Sequence, residues 1–303
     1  MKPFIFFCCL TLLMIACDSP SESNDNNDNS SIDIQTNIAA DSIKETTNKT
    51  TPINDNKDID ILTIDKIQKT CLATEDGMTT QGSIRCVNAS WRMWDAGLNK
   101  HYKAITKDAT DVEKKAYLKA QRSWLKYRDA ELEFLAHFYN AQDGTIFQQF
   151  YASDRKELVK VRTLELIQYG FSMEGGSDDL SNYVNAALKM EEDPTFVTCQ
   201  EERDYTNLAM RMCASEAAER FQAKIDKNIQ ALEKIISAKT KIALKKSQVA
   251  WSQFVDDEAA IYYAIQEAAG GGSIYPTMAA GSYLTLKQRR YSILLELIEV
   301  IKN

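Results

Sequence analysis

The sequence predicts an all-α protein with two tandem, disulfide-pinned units, each a helical hairpin or three-helix bundle, behind a disordered N-terminal tether. Three observations support this class. Apolar residues recur every three to four positions, no alternating run is long enough for a strand, and the second half repeats the first. The chain has 303 residues, 44% of them hydrophobic, which is enough for two such units.

The helical period is clearest just after the second cysteine of each unit. Steps of three and four residues connect Trp91, Trp94, Leu98, Tyr102 and Ile105, and likewise Phe221, Ile225, Ile229, Leu232 and Ile236. A second helix is predicted over about 112–139 and 239–268, and a third over about 150–169 and 278–302. Glycines at 144 and at 270–272 interrupt the chain between these helices.

The two units repeat at a constant offset, so that position i of the first unit matches position i + 127 of the second without a gap. The matching pairs are Cys86/Cys213, Gln121/Gln248, Trp124/Trp251, Tyr127/Phe254, Asp129/Asp256, Glu131/Glu258, Gly144/Gly271 and Arg162/Arg289. The predicted units span 61–169 and 196–303. The linker over 170–195 contains a further segment, Asp179 to Met190, that suits a short helix.

Four cysteines within the units are expected to form one disulfide in each unit. Cys71 lies a short way before Cys86, and Cys199 lies at nearly the same separation before Cys213. These pairs let each unit close on itself, whereas crossed pairs are the alternative. A zinc site is disfavoured, because no C-x-x-C pair occurs and no histidine lies close by in the sequence.

Residues 1–16 have the features of a signal peptide. Lys2 precedes an apolar run that ends at Ile15 and is too short to span a bilayer. Leu13 to Cys17 resembles the lipobox of bacterial lipoproteins, which implies removal of the signal and lipid attachment at Cys17; ordinary secretion is the alternative. The expected location is the bacterial cell envelope, on the periplasmic face or the cell surface, with membrane contact through the lipid only.

Residues 17–60 are predicted to be a disordered acidic tether. The segment 18–60 has no aromatic residue and carries ten acidic residues against three lysines, a net charge of −7. The whole chain also has a formal net charge of −7, and residues 1–17 contribute +1, so residues 61–303 carry −1. The nearly neutral body has no basic excess, which disfavours a nucleic-acid partner.

The densest motif runs from Gln121 to Glu131 and recurs from Gln248 to Glu258. In a helix, Gln121, Trp124 and Glu131 lie on one stripe. Glycoside hydrolysis would need two carboxylates about 5–9.5 Å apart across a sugar site. Asp129 and Glu131 are two residues apart on one helix and point in different directions. We therefore expect no enzyme activity, no catalytic residue, no metal and no cofactor.

A structural role for this motif is the stronger expectation. Glu131 recurs as Glu258, and an arginine follows each of them at the same separation, as Arg162 and Arg289. The hypothesis is that each Glu, or its Asp neighbour (Asp129 or Asp256), pairs with the arginine of its own unit and sets the helix register.

The pattern Gln-x-x-Trp-x-x-(Tyr/Phe)-(Arg)-Asp-x-Glu, whose Arg is present only in the first repeat, a Gly-Gly-Ser loop and Leu284-Thr285-x-x-x-Arg289 resemble the LprI-type lysozyme inhibitor family. The resemblance covers about residues 68–169 and 196–301. It implies a small exported bacterial protein, often a lipoprotein, that inhibits a lysozyme or related muramidase without catalysis.

An inhibitor needs an exposed loop or face that can enter the sugar cleft of the enzyme. The candidate is the loop Gly270, Gly271, Gly272, Ser273 and Tyr275, and a plain interhelix turn is the alternative. A second class of function is an envelope interaction or structural lipoprotein with an unidentified exported partner. Solvent-facing aromatic residues would favour that class, and the candidates are Trp91, Trp94, Tyr262 and Tyr263.

Overall fold

A computed structural model describes residues 60–174, 178–190 and 193–302, and these ranges contain nine α-helices and no strand. The helices are α1 (Ile61–Leu72), α2 (Thr80–Lys107), α3 (Asp111–Tyr139), α4 (Ile146–Glu174), α5 (Asp178–Leu188), α6 (Pro194–Glu202), α7 (Asn207–Ile235), α8 (Ala238–Ala268) and α9 (Ile274–Lys302). The signal peptide and Cys17 predicted from the sequence lie outside the described residues, as does the predicted tether up to residue 59. Among the described helices, none is both long and apolar enough to cross a membrane.

Four of the long helices begin at a hydroxyl side chain that caps them. Thr79, Thr110, Thr206 and Ser237 each accept a hydrogen bond from a backbone N–H three residues later. At Thr110 the cap is reciprocal, because the Glu113 side chain accepts from the Thr110 backbone N–H. Such a cap contributes about 1 kcal/mol, so the caps determine where these helices start.

Two short helices, α1 and α6, precede the long helices and carry the first cysteine of each disulfide. The pairing of Cys71 with Cys86 and of Cys199 with Cys213 is confirmed, with Cα–Cα distances of 5.7 and 5.8 Å. The apolar period does not predict these helices, which contain only 12 and 9 residues. Their attachment differs, because α1 buries Ile61 and Ile64 while α6 has no buried residue.

The long helices pack in three main pairs, α2 with α4, α7 with α9, and α3 with α8. The last pair joins the two repeats, whereas α3 has little contact with α2 of its own repeat. The main core cluster accordingly contains buried residues from both repeats, from Ile61 to Ile298. The all-α class and the tandem duplication are confirmed, and the two repeats share one core.

Candidate functional site

The glycine-rich loop connects α8 to α9. Gly270, Gly271 and Gly272 have φ angles of +72°, +125° and +125°, which side-chain-bearing residues rarely adopt. The Gly271 N–H donates to the Gln266 carbonyl at 2.9 Å, a pattern that closes the end of α8. The three glycines are all exposed, so their backbone is accessible to a partner.

Side chains on both flanks hold this loop in place. The Gln266 side chain donates to the Gly272 carbonyl at 2.9 Å. The Asn207 side chain, at the start of α7, donates to Ser273 Oγ at 2.9 Å, and Thr277 Oγ1 donates to the Asn207 carbonyl at the same distance. The loop is therefore fixed to two helices while its outer surface stays open.

Two residues that follow the glycines have different roles: Tyr275 supports the loop from inside, and Ile274 faces outward. Tyr275 is half-buried, and its ring lies so close to Gly272 that an added Cβ there would be 2.9 Å from Tyr275 Cε2. Ile274, which the sequence analysis did not single out, is 43% exposed. Ile274 is thus the apolar side chain that this loop presents to solvent.

The predicted motif lies inside the protein, at the junction of the repeats. Trp124 and Trp251 are both buried. Tyr127 and Phe254, which occupy matching positions in the two repeats, stack on each other with ring centroids 5.9 Å apart and an interplanar angle of 6°. The apolar part of the motif is therefore the seam between the two repeats.

Two buried ion pairs cross this seam in opposite directions. Arg162 Nη1 donates to Glu258 Oε1 at 2.5 Å, and Arg290 Nη1 donates to Glu131 Oε1 at 2.6 Å. All four side chains are at most 3% exposed. The hypothesis of pairs within each unit is wrong, because α3 packs along α8 and each motif Glu therefore faces the third long helix of the other repeat.

The arginine assigned to the second repeat is also corrected. Arg290, not Arg289, is the counterpart of Arg162: Arg162 Nε donates to Gln121 Oε1 and Arg290 Nε donates to Gln248 Oε1, both at 3.1 Å. Arg290 stands one position further from Glu258 than Arg162 stands from Glu131. The offset between the repeats is thus larger by one at this point, and the gap-free alignment selects the neighbouring residue.

Arg289 has a different partner. It forms an ion pair with Glu165, which also accepts from Arg162 Nη1 at 3.3 Å. Glu165 therefore bridges an arginine from each repeat. The motif pattern does not include Glu165; its position three residues after Arg162, one helical turn away, is the only indication in the sequence.

The two aspartates of the motif have peripheral roles. Asp129 is 65% exposed and accepts from its neighbour Arg128 at 2.7 Å. Asp256 accepts a hydrogen bond from the Tyr283 hydroxyl of α9. Neither aspartate takes part in the buried pairs.

The two motif glutamates are matched in sequence but differ in their hydrogen bonds. Both oxygens of Glu131 have partners, because Ser247 Oγ donates to Oε2. The position that matches Ser247 in the first repeat is Ala120, which has no hydroxyl, and Glu258 Oε2 has no hydrogen-bond partner in the described part of the chain. Burial raises the pKa of the Glu258 carboxyl, while Arg162 acts in the opposite direction.

Of the four aromatic residues considered as contacts for a surface partner, three are not exposed. Trp94 is fully buried, and Trp91 and Tyr262 are half-buried against the core. Only Tyr263 of these four is exposed, at 52%. The described residues contain no group of three or more His, Cys, Asp or Glu side chains arranged to hold a metal ion.

Comparison with solved structures shows a similar fold. The crystal structure of an uncharacterized protein from Burkholderia thailandensis matches with a TM-score of 0.55 and 19% sequence identity, covering 78% of this chain and 96% of that one. Among curated proteins, no sequence matches.

Comparison with protein families gives one match in each repeat. The family described as lysozyme inhibitor LprI matches twice, at residues 71–166 and 199–294. Each match begins at the first cysteine of a repeat and includes the motif and the paired arginine. Because the two matches together cover more than half of the chain, the chain belongs to the LprI lysozyme inhibitor family and carries two copies of the family domain in tandem.

Proposed function

We propose that this protein binds a lysozyme or related muramidase in the bacterial cell envelope and blocks it without catalysis. Its lipid, attached at Cys17, would keep it at the membrane on the periplasmic face or the cell surface. Membership of the LprI family supports an inhibitor-type activity, and the predicted lipobox supports the anchor.

The glycine-rich loop is the proposed contact, and one observation carries this assignment. Gly270 to Gly272 expose their backbone in a conformation that is held by hydrogen bonds to α7 and α8. A preformed loop loses little conformational entropy on binding, and glycines permit close approach of the enzyme's backbone. Ile274 adds an exposed apolar contact beside it.

The first repeat has no equivalent loop. Its α3–α4 connection contains a single glycine with positive φ, Gly144, at +116°. Asp143 and Thr145 flank it and are exposed. The proposal therefore assigns the enzyme contact to the second repeat and offers the first-repeat loop as an internal control.

The test is a turbidity assay of bacterial cell-wall lysis by an animal lysozyme, with the purified full chain added at micromolar concentration. We expect slower lysis with the unaltered protein and restored lysis with the triple variant Gly271→Ala/Ser273→Ala/Tyr275→Ala. The matched control is Gln142→Ala/Asp143→Ala/Thr145→Ala in the first-repeat loop, which should inhibit like the unaltered protein.

Two results would count against the proposal. If the unaltered protein neither slows lysis nor binds the lysozyme, inhibition of that enzyme is excluded. Binding of an unidentified exported partner then becomes the favoured function. If inhibition is intact in the loop variant, the contact belongs to a helix face instead.

A further inference from the structure

A second surface suited to binding lies between α4 and α9. It is a cleft of about 820 Å³, and its inner end reaches the buried aromatic seam of α3 and α8. We call it the α4–α9 cleft. Its walls are largely apolar and include Phe147, Leu158, Val161, Ile293, Leu297 and Val300.

The charges that line this cleft are mostly negative. Six carboxylates and two arginines line it: Glu131, Asp154, Glu157, Glu165, Glu296, Glu299, Arg289 and Arg290. Both arginines already pair with lining glutamates, Arg289 with Glu165 and Arg290 with Glu131. The other four carboxylates lie on α4 and α9. No lysine is part of the lining, although Lys156 contacts Glu157 at 3.0 Å.

Asp154, Glu157 and Glu296 repel one another, and Glu299 repels Glu296. Burial raises the pKa of Asp154 to about 6, and Glu296, Glu131 and Glu157 add to the rise, although the hydrogen bond from Tyr139 opposes it. Burial together with Glu299 and Glu157 also raises the pKa of Glu296. A cation placed between the two helices would relieve this repulsion.

We propose that the α4–α9 cleft binds a basic, amphipathic segment of a partner protein, with apolar side chains against the walls and Lys or Arg side chains near Asp154, Glu157 and Glu296. Apolar walls alone would suit many occupants, but the charge restricts the choice. Anionic lipid headgroups and fatty-acid carboxylates would be repelled. The chain's own segment 18–60, with a net charge of −7, would be repelled as well.

This surface is separate from the glycine-rich loop. Ser273 directly precedes α9, and Ile293 lies so far along the same helix that the two are roughly 30 Å apart at the usual helical rise. The proposal therefore does not depend on lysozyme binding at the loop, and a substitution in one surface should leave the other unaffected.

The test uses the purified full chain and fluorescently labelled helical peptides of about five turns, or roughly 18 residues. One peptide is amphipathic with Leu and Lys, a second has Glu in place of Lys, and a third has the Leu/Lys composition in a non-amphipathic order. Fluorescence anisotropy should show binding of the first peptide only. Its affinity should fall as the salt concentration rises from about 0.05 to about 0.5 M, because salt screens the attraction.

Charge-reversed variants locate the binding site. Glu157→Lys/Glu296→Lys changes two exposed carboxylates in the cleft and should weaken binding of the Leu/Lys peptide by about tenfold or more. Glu201→Lys/Glu202→Lys changes the net charge equally on exposed positions of α6, outside the cleft, and should alter binding less than about threefold. Thermal unfolding followed by circular dichroism verifies that both variants fold.

Four results would overturn the proposal. They are no binding of the Leu/Lys peptide, equal weakening by the two charge reversals, binding of the Glu peptide as tight as that of the Lys peptide, or self-association of the chain through the same face. The second would indicate general electrostatic attraction, the third an occupant chosen by its apolar surface alone, and the last a second copy as the occupant.

Discussion

Arg162 of the first repeat and Glu258 of the second form a buried ion pair that joins α4 to α8. Its reciprocal, between Arg290 and Glu131, joins α9 to α3. Because each pair takes one member from each repeat, a shift of one repeat against the other would break both pairs while their charges stay buried. Leaving a buried charge unpaired is costly. The two pairs therefore favour the relative position of the helices in which both pairs form.

Removal of one member of a pair should destabilise the protein strongly. We expect Glu258→Ala to lower the free energy of unfolding by about 3 kcal/mol, because Arg162 stays buried and keeps only the longer ion pair with Glu165 beside its hydrogen bond to the neutral Gln121. Urea unfolding measures the change. Asp129→Ala, which alters an exposed carboxylate on α3, should change stability by less than about 0.5 kcal/mol.

The double variant Arg162→Met/Glu258→Leu tests whether the pair itself stabilises. We expect it to be closer to the unaltered protein than Glu258→Ala is, since both charges are removed together and the volume is retained. A loss in Glu258→Ala no larger than the loss in Asp129→Ala would contradict the assigned role.

Ala120 lacks the hydroxyl group that its counterpart Ser247 has, and this difference suggests a stabilising substitution. Ala120 is fully buried, and its counterpart Ser247 donates to Glu131. We expect Ala120→Ser to supply the equivalent donor for Glu258 Oε2 and to raise the free energy of unfolding by about 1 kcal/mol.

The reverse change is the matched control for this prediction. Ser247→Ala removes the donor from Glu131 Oε2 and should lower stability by about 1–3 kcal/mol. If both substitutions shift stability in the same direction, the difference between the two glutamates is not a matter of this hydrogen bond.

The two disulfides should differ in what they protect. Helix α1 buries two isoleucines and is also tied to α4 by the ion pair of Lys160 with Asp65 at 2.6 Å, whereas α6 has no buried residue. We expect Cys199→Ser/Cys213→Ser to expose α6 to limited proteolysis, and Cys71→Ser/Cys86→Ser to leave α1 more protected.

Both double variants should also lose global stability, by about 3 kcal/mol in the chain-entropy account, because the loops closed by the disulfides have similar lengths. Mass spectrometry of the proteolytic fragments identifies the first cleavage site. Equal protection of α1 and α6 in the two double variants would argue against the difference in packing.

The raised pKa of Asp154 predicts that the stability of the protein depends on pH. Its pKa is raised from the ordinary 3.8 to about 6, so the folded state binds a proton more readily than the unfolded state between these values. Stability should therefore decrease as pH rises from 4 to 6 and change little from this group above that range. We expect Asp154→Asn to be more stable than the unaltered protein at pH 7.5, by at most about 3 kcal/mol.

Urea unfolding at pH 4 and pH 7.5 measures this effect. The advantage of Asp154→Asn should disappear at pH 4, where Asp154 is protonated in the folded state. A constant advantage at both pH values would rule out titration of Asp154 as the cause.

Ile274→Asp tests the proposed contact of the loop with a lysozyme without altering the glycines of the loop. Ile274 is the first residue of α9, where a negative charge is favoured by the helix dipole, so the fold should be retained. We expect this substitution to reduce inhibition of the lysozyme at least tenfold while the thermal stability changes little. Full inhibition by the Ile274→Asp protein would exclude this side chain from the contact.

The sequence by itself determined the helical class, the duplication and the disulfide pairs. Apolar spacing along single helices is a local property, and so is the short separation between Cys71 and Cys86. The residues of the seam, such as Trp124 and Glu131, were also identifiable, because both repeats retain them.

The partners of those residues were decided only by the tertiary structure. In a duplicated chain, Glu258 meets the same kinds of residues in its own repeat as in the other one, so composition and spacing favour both pairings equally. The packing of α3 along α8 selects Arg162, and one additional residue before α9 brings Arg290 into the place that a constant offset assigns to Arg289. The α4–α9 cleft likewise exists only because helices from different repeats, far apart in the sequence, line the same space, a relation that no local pattern contains.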